Sequence, residues 1–489
     1  MIRIYLENDS FEHDVRSLTK AFFKKEEQVV TYMPYEEAKN VTSDEDIILA
    51  VFNDKEDIKM QLRDAGGGLY FEEFHITEKK DRKLYKNDFK KVLYKVCVKA
   101  TGTELPWGTL TGIRPTKVPF DFLENGEGEE AARRFMEDEY LCGKEKTDLS
   151  LAVAKRELKL LSAINYKEGY SIYIGIPFCP SICLYCSFSS YAIGAYKNYV
   201  DKYVDALCKE IEWAGTAIKD KVLKTIYIGG GTPSSLSAEH LEILLKKINE
   251  TFNVKDLLEF SVEAGRPDSI TMEKLVALKK YGVTRISINP QTMNESTLKL
   301  IGRAHTPEQV KEAYVMARQA GHDNINLDLI IGLPGENADS VAYTLREIEP
   351  LNPESLTVHA LAIKRAANLK EQLDKMYALM PTDAAKMQQL TSEYATAHGY
   401  NPYYLYRQKN ITDNLENIGY AKEGKECLYN ILIMEEKHTI LALGAGAACK
   451  FVGADGSVTR TENVKSVKDY IERVSEMIER KEAVIRSGY

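Results

Sequence analysis

The sequence predicts an α/β protein built on a partial (β/α)6, TIM-like barrel. An N-terminal α/β extension precedes the barrel and a C-terminal mixed α+β domain follows it. Three observations carry this. Six runs rich in β-branched and aromatic residues, at 171–178, 224–229, 258–264, 285–290, 325–332 and 355–363, alternate with amphipathic helix-like segments. Connections of this kind are right-handed and wind the strands into one sheet, and six units leave the barrel open where eight would close it. The loop after the first run holds three cysteines, and nearly every later run ends on a glycine, a carboxylate or an amide. The 489 residues exceed one ordinary core. The expected divisions are 1–165, 166–380 for the barrel and 381–489 for a substrate-covering domain.

Composition narrows the function classes. A net charge of −8, spread along the chain, argues against nonspecific nucleic-acid binding. No apolar run approaches about 18 residues, so no membrane span is expected. The start, Met1 to Asn8, reads as a strand with charges and not as a signal peptide. Eight cysteines, three of them clustered, fit a reducing cytoplasm better than a disulfide framework, so a cytoplasmic location is expected. Cys97, Cys142, Cys208, Cys427 and Cys449 are scattered and read as small buried hydrophobes.

In the N-terminal region Ile2 to Glu7 and Asp46 to Phe52 read as strands. Gly66 to Gly68 read as a turn before the run Leu69 to Phe71, and Lys79 to Lys99 as a helix. The segment from Trp107 to Lys117 carries glycines and two cations. It is either a packed connector with a buried tryptophan or a binder of an anionic group, since an arginine fork suits carboxylates. Glu129 to Ile164 has helical periodicity.

The first barrel run stops at Pro177, and Cys179, Cys183 and Cys186 follow at C-x-x-x-C-x-x-C spacing. Four thiolates would close a zinc site or fully ligate a cubane iron–sulfur cluster. Three leave one iron of a [4Fe–4S] cluster without a protein ligand, and the gaps differ from the paired knuckles of zinc ribbons. An incomplete zinc site and three buried thiols are the alternatives. This triplet resembles the signature of radical SAM enzymes. The resemblance implies that the open iron chelates S-adenosylmethionine (SAM), whose reductive cleavage yields a 5′-deoxyadenosyl radical.

The ends of the later runs bear on the same cofactor. Gly229, Gly230, Gly231 and Thr232 follow the second run, and a backbone without Cβ lets a ligand approach closely. Glu263 ends the third run, Gln291 the fourth with Arg303 on the helix beyond it, and Asp328 lies in the fifth. Any one of these is an ordinary polar residue; together they converge on one rim. Arg303 suits the SAM carboxylate, and Glu263 suits the ammonium or helps fix Arg303. Gln291 and Asp328 suit the ribose hydroxyls. Tyr185 suits the adenine, and Tyr173 a place near the cluster.

From Tyr173 to about Ala362 these features resemble the oxygen-independent coproporphyrinogen III oxidase family of radical SAM proteins. Carried over by position, the cluster residues are Cys179, Cys183 and Cys186. The SAM residues are Tyr173, Tyr185, Gly230, Gly231, Thr232, Glu263, Gln291, Arg303, Asp328, Ala362 and Ala448. The Trp107 to Lys117 segment and the run Tyr400 to Lys409 are similar to the HemZ-type branch. The resemblance implies oxidative decarboxylation of two propionates of coproporphyrinogen III, giving protoporphyrinogen IX in haem biosynthesis. It also implies a tetrapyrrole substrate and an external flavodoxin- or ferredoxin-like electron donor. Characterised oxidases have a further cysteine where this chain has Phe188. HemW-type haem chaperones have an aromatic residue there, so the second reading is a haem-binding role, or another radical reaction on a tetrapyrrole, in the same fold.

Beyond the barrel, Tyr404, Tyr406, Arg407 and Gln408 form an aromatic and cationic group. It either covers a flat tetrapyrrole and pairs with its propionates or forms a tyrosine-rich edge strand. Asn410 to Tyr420 reads as an exposed connector. The small residues from Leu443 to Ala448 permit close backbone approach. His359 and His438 are either haem ligands or ordinary hydrogen-bonded histidines.

Overall fold

In the N-terminal region, short apolar alternations make five strands: β1 (Ile2–Leu6), β2 (Gln28–Tyr32), β3 (Ile47–Asn53), β4 (Asp57–Arg63) and β5 (Leu69–His75). The protein is seen here in a computed structural model, which describes residues 1–54, 56–77, 81–186, 189–362, 379, 381, 383–408 and 415–489. They fall into two units, Met1–Lys155 and Arg156–Tyr489.

In the first unit the strand order is β2-β1-β3-β4-β5, with β1 parallel to β2 and β3 and the rest antiparallel. Helices Glu12–Phe22 and Arg82–Thr101 bring Val15, Leu18, Phe89 and Leu93 against Ile4, Leu49 and Met60. Asp81 caps the second helix by accepting from the amides of Lys83 and Leu84. The first helix, β2 and β4 were not expected from the sequence. Trp107 is fully buried and its carbonyl accepts from Cys142 Sγ at 3.2 Å, as a packed connector requires. The periodic stretch from Glu129 breaks after Glu139, where Leu141 takes φ +54°, and resumes as helix Lys144–Ala163.

The second unit is organised by six parallel strands in sequence order: β6 (Gly169–Ile176), β9 (Val222–Gly230), β10 (Glu259–Gly265), β11 (Arg285–Gln291), β12 (Ile325–Ile331) and β13 (Ser355–Ala360). Each lies within a few residues of its expected run. Helices Lys197–Ala217, Ala238–Thr251, Met272–Lys280, Pro307–Gln319 and Ala338–Ile348 fall between successive strands. The strands' outward rows are apolar, for example Ile226, Ile228, Phe260, Val262, Ile286 and Ile288, and are buried. Their other rows are polar or aromatic, and these side chains bond across strands. Ser171 Oγ accepts from Thr225 Oγ1 at 2.8 Å, Arg285 donates to Ser355 Oγ at 3.1 Å, and Thr357 Oγ1 donates to Asn326 at 3.1 Å. The barrel is therefore lined with hydrogen-bonding groups, which suits an enclosed polar ligand more than a dry core.

The C-terminal chain extends the same sheet at both ends. The remaining strands are the short pair β7 (Phe178–Cys179) and β8 (Tyr191–Ala192), then β14 (Asn401–Tyr406), β15 (Asn417–Ala421), β16 (Thr439–Leu443), β17 (Ala448–Val452) and β18 (Val458–Glu462). The eleven-stranded order is β14-β15-β13-β12-β11-β10-β9-β6-β16-β17-β18, an open arrangement. β16 lies parallel to β6, so a seventh parallel strand comes from the end of the chain. The connector expected at Asn410 to Tyr420 is corrected: residues 417–420 belong to the buried strand β15, held between β13 and β14, and 410–414 lie outside the described residues.

A buried polar knot ties the C-terminal helix Val467–Arg486 to the barrel. Glu210 pairs with Lys481 and accepts from Tyr470 Oη at 2.6 Å, Asn463 Nδ2 at 2.9 Å and the Gly444 amide at 2.7 Å. Glu210 and Lys481 are both almost fully buried, so each requires the other.

Candidate active site

At the carboxyl end of β6 the chain turns at Pro177 into the cysteine loop. The loop folds over the rim because three neighbours hold it. The Leu184 amide donates to Ile301 O at 3.1 Å, Arg266 reaches Ser181 Oγ at 2.6 Å, and Arg303 Nε donates to Tyr185 Oη at 3.2 Å. Arg266 is itself fixed by Asp268 at 2.6 Å. The Cys186 amide closes a turn onto Cys183 O at 3.1 Å. Cys179 is half-buried and accepts from Thr232 Oγ1 at 3.5 Å; burial, then the nearby Cys186 and Cys183 thiols, raise its pKa. Among the described residues no three His, Cys, Asp or Glu side chains close around a single metal ion. None of the eight cysteines is paired in a disulfide.

The glycine segment lies against this loop. The amides of Gly231 and Thr232 donate to Ile176 O and Phe178 O, each at 2.7 Å, and the Gly230 amide to Glu263 Oε2 at 3.3 Å. A Cβ on Gly231 would stand 2.5 Å from Phe178 O, so only glycine allows this approach. With the amides committed, this segment offers a ligand acceptors, as an ammonium needs.

Each barrel strand then contributes a half-open residue in an otherwise buried run: Tyr173, Tyr227, Glu263, Asn289, Asp328 and His359. Such a ring lines a cavity inside the barrel. Tyr173, Tyr227 and Tyr429 form a stack, the last two with centroids 4.5 Å apart. Glu263 accepts from Tyr227 Oη at 2.6 Å; burial and the charge of Asp328 push its carboxyl up to about 7. The expectation that Glu263 helps fix Arg303 is corrected, because its bonds go to Tyr227 and Gly230. Asp328 accepts from Asn326 Nδ2 at 2.7 Å.

The rim itself is strained at Gln291. This residue takes φ +68° where β11 loses register after Ile288, and its Oε1 is buried with no hydrogen-bond partner. A non-glycine residue held there with an unused acceptor fits a polar ligand. Arg303 does not sit on the expected helix. Helix Glu295–Leu300 ends before it, and Arg303 follows Gly302, with its guanidinium on Asn289 O at 2.6 Å. Tyr185 packs against the buried cluster of Ile301, Ile330, Leu333 and Leu361. Ala362 follows β13 beside that cluster, and Phe188 lies outside the described residues. Ala448 opens β17 opposite Glu462 and is exposed; it is Gly444 that abuts Gly175 O.

The C-terminal candidates separate. Tyr404 is buried with its ring across Gly419, where a Cβ would stand 2.0 Å from the ring. Arg407 is buried and Gln408 exposed. Tyr406 reaches the ring, with its Oη 3.4 Å from His359 Nδ1. His438 has both ring nitrogens engaged, with Ser171 Oγ at 2.9 Å and Tyr166 O at 2.9 Å, so it is a structural histidine.

The profile of the radical SAM superfamily matches residues 173–348. The oxygen-independent coproporphyrinogen-III oxidase-like protein HemZ of Bacillus subtilis is 45% identical over 81% of this chain and 80% of its own length. This chain belongs to the radical SAM, coproporphyrinogen-III oxidase-like family. The haem chaperone HemW of the same organism is 35% identical over 63% of this chain and 76% of its own length. The structure of Escherichia coli coproporphyrinogen III oxidase (HemN), a radical SAM enzyme, aligns at TM-score 0.51 and 25% identity over 66% of this chain and 73% of that one.

The radical SAM family binds a [4Fe–4S] cluster and SAM, and the donor set here fits both. In a cubane each thiolate takes a different iron, and Cys179, Cys183 and Cys186, all half-buried on one loop and none in a disulfide, supply three soft donors of that kind. The unused Gln291 acceptor and the glycine cradle at 229–231 fit the nucleoside and the ammonium. Tyr227 and Asn289 went unrecognised in the sequence as site residues, and His359 was read there only as a haem ligand or an ordinary histidine.

Proposed function

We propose that this chain catalyses radical SAM oxidative decarboxylation of coproporphyrinogen III to protoporphyrinogen IX. The reading rests on one observation. The cavity wall has two unlike halves: thiols, glycines, Gln291, Asp328 and Arg303 on one side, and His359 and the Tyr406 ring on the other. The first suits an amino-acid nucleoside, the second a flat ring. The names of the HemZ and HemN relatives support a porphyrinogen as that ring.

On this reading Cys179, Cys183 and Cys186 hold the cluster, and Arg303 and the glycine segment orient the methionine end of SAM. When bound, cluster and SAM together supply the hydrogen-atom acceptor and the one-electron chemistry. The barrel excludes water and keeps a propionate Cβ–H beside the cofactor, while the Tyr406 side carries the macrocycle. An external electron donor reduces the protein.

The test is anaerobic reconstitution followed by reductant, SAM and coproporphyrinogen III. SAM-dependent vinyl product is expected, and Cys183→Ala loses both cluster iron and SAM cleavage. Unchanged iron in that variant would remove the ligand assignment. A second reading, a haem carrier, is supported by the HemW relatives and by Phe188. It is the better one if haem binds stoichiometrically with no turnover.

A further inference from the structure

Three side chains of the cavity wall are given no cofactor role above: those of Asn289 on β11, His359 on β13 and Tyr406 on β14. The first two flank Asp328 of β12 in the barrel ring. Asn289 Oδ1 is buried with no hydrogen-bond partner, as is Ser287 Oγ one step deeper on the same row. Buried acceptors left this way are costly unless a ligand or water takes them. The His359 ring is half-open to the cavity, with Tyr406 Oη against Nδ1 and Asn417 beside it. Burial lowers its pKa, against the opposing pull of Asp328 and Asn417, and a neutral imidazole keeps one lone pair. Tyr406 stacks on Tyr404 with ring planes 17° apart, giving a flat apolar face beside these acceptors.

We infer that Asn289 and His359 are the specificity residues of the substrate half of the cavity, two hydrogen-bond acceptors that read the inward N–H groups of a reduced tetrapyrrole lying on the Tyr406 face. This rests on the tetrapyrrole reading above and adds which oxidation state the site selects. Every pyrrole nitrogen of a porphyrinogen carries a hydrogen. Half of them do in the oxidised porphyrin, and none in its metal complex. Acceptors fixed in the wall therefore favour the reduced ring and leave the oxidised one incompletely paired. Rejection by unpaired polar groups is the stronger form of discrimination.

The experiment uses the full chain, reconstituted without oxygen and loaded with SAM. Equilibrium binding of coproporphyrinogen III, coproporphyrin III and haem is measured for the wild type, Asn289→Ala and His359→Phe. The wild type is expected to prefer the porphyrinogen, and each variant to lose about five- to tenfold of that preference. SAM affinity should stay within about twofold in both variants, which shows that the barrel is intact. The two variants are independent, so one that fails to fold leaves the other to decide. If the preference survives both substitutions, the inference is overturned while the tetrapyrrole reading stands. If the wild type binds no tetrapyrrole, the functional reading itself falls and takes the inference with it. A haem Soret shift present in the wild type and lost in His359→Phe would make the imidazole an iron ligand and overturn its role as acceptor.

Discussion

Glu263 shows how a single side chain reports on this cavity. Its carboxyl is held up to about 7 from an ordinary 4.5, chiefly by burial. The folded chain therefore keeps a proton there that the unfolded chain releases. The associated stability is complete below pH 4.5 and is lost as pH rises through 7. In the cofactor-free protein, Glu263→Gln should flatten this loss, worth about 3 kcal/mol, in urea unfolding followed across that window. An unchanged pH slope in the variant would place the carboxylate in a wetter setting than the one described. Glu263, Gln291 and Asp328 drew attention in the sequence as polar residues within or at the end of apolar runs, and Arg303 as the cation beyond the fourth. Asn289 drew no attention because the run was read by its last residue, Gln291, and His359 was read only as a haem ligand or an ordinary histidine. A signal was present: Arg285, Ser287, Asn289 and Gln291 alternate with apolar neighbours, and a polar row inside a parallel strand means a lined cavity.

Within the barrel, strands and loops were read where their partners are close in sequence. The six βα units and the cysteine loop follow from local periodicity and spacing. β15 did not, because its small and polar residues become a strand only between β13 and β14. Two elements invite substitution. Gly231→Ala forces a Cβ onto the carbonyls of Phe178 and Ile176, at 2.5 and 2.9 Å, so the loop must move. A cost of about 1–3 kcal/mol is expected, with SAM affinity reduced by more than tenfold; calorimetric titration of SAM checks it. Lys481→Met leaves Glu210 buried without its cation and should cost about 3–5 kcal/mol in chemical denaturation. Restoring most of that stability with Glu210→Gln in the same chain would attribute the loss to the unpaired charge.

For the molecule as a whole, every candidate site residue lies in the unit Arg156–Tyr489, while Met1–Lys155 has its own apolar core. Ligand binding stabilises only what it binds. Scanning calorimetry is expected to show SAM raising the unfolding temperature of the larger unit and leaving the other unchanged. A common shift would mean that the two unfold as one. None of the described helices is long and apolar enough to cross a membrane.

β16 has a consequence for biogenesis. β6, which leads directly into the cysteine loop, needs β16 as its outer neighbour, and the Ser171–His438 bond there joins residues 267 positions apart. A ribosome-bound nascent chain emerges with that edge bare until almost everything has been synthesised. Chains cut before β16 are therefore expected to retain less cluster iron after anaerobic reconstitution than the full chain, with equal iron content in both as the opposite result.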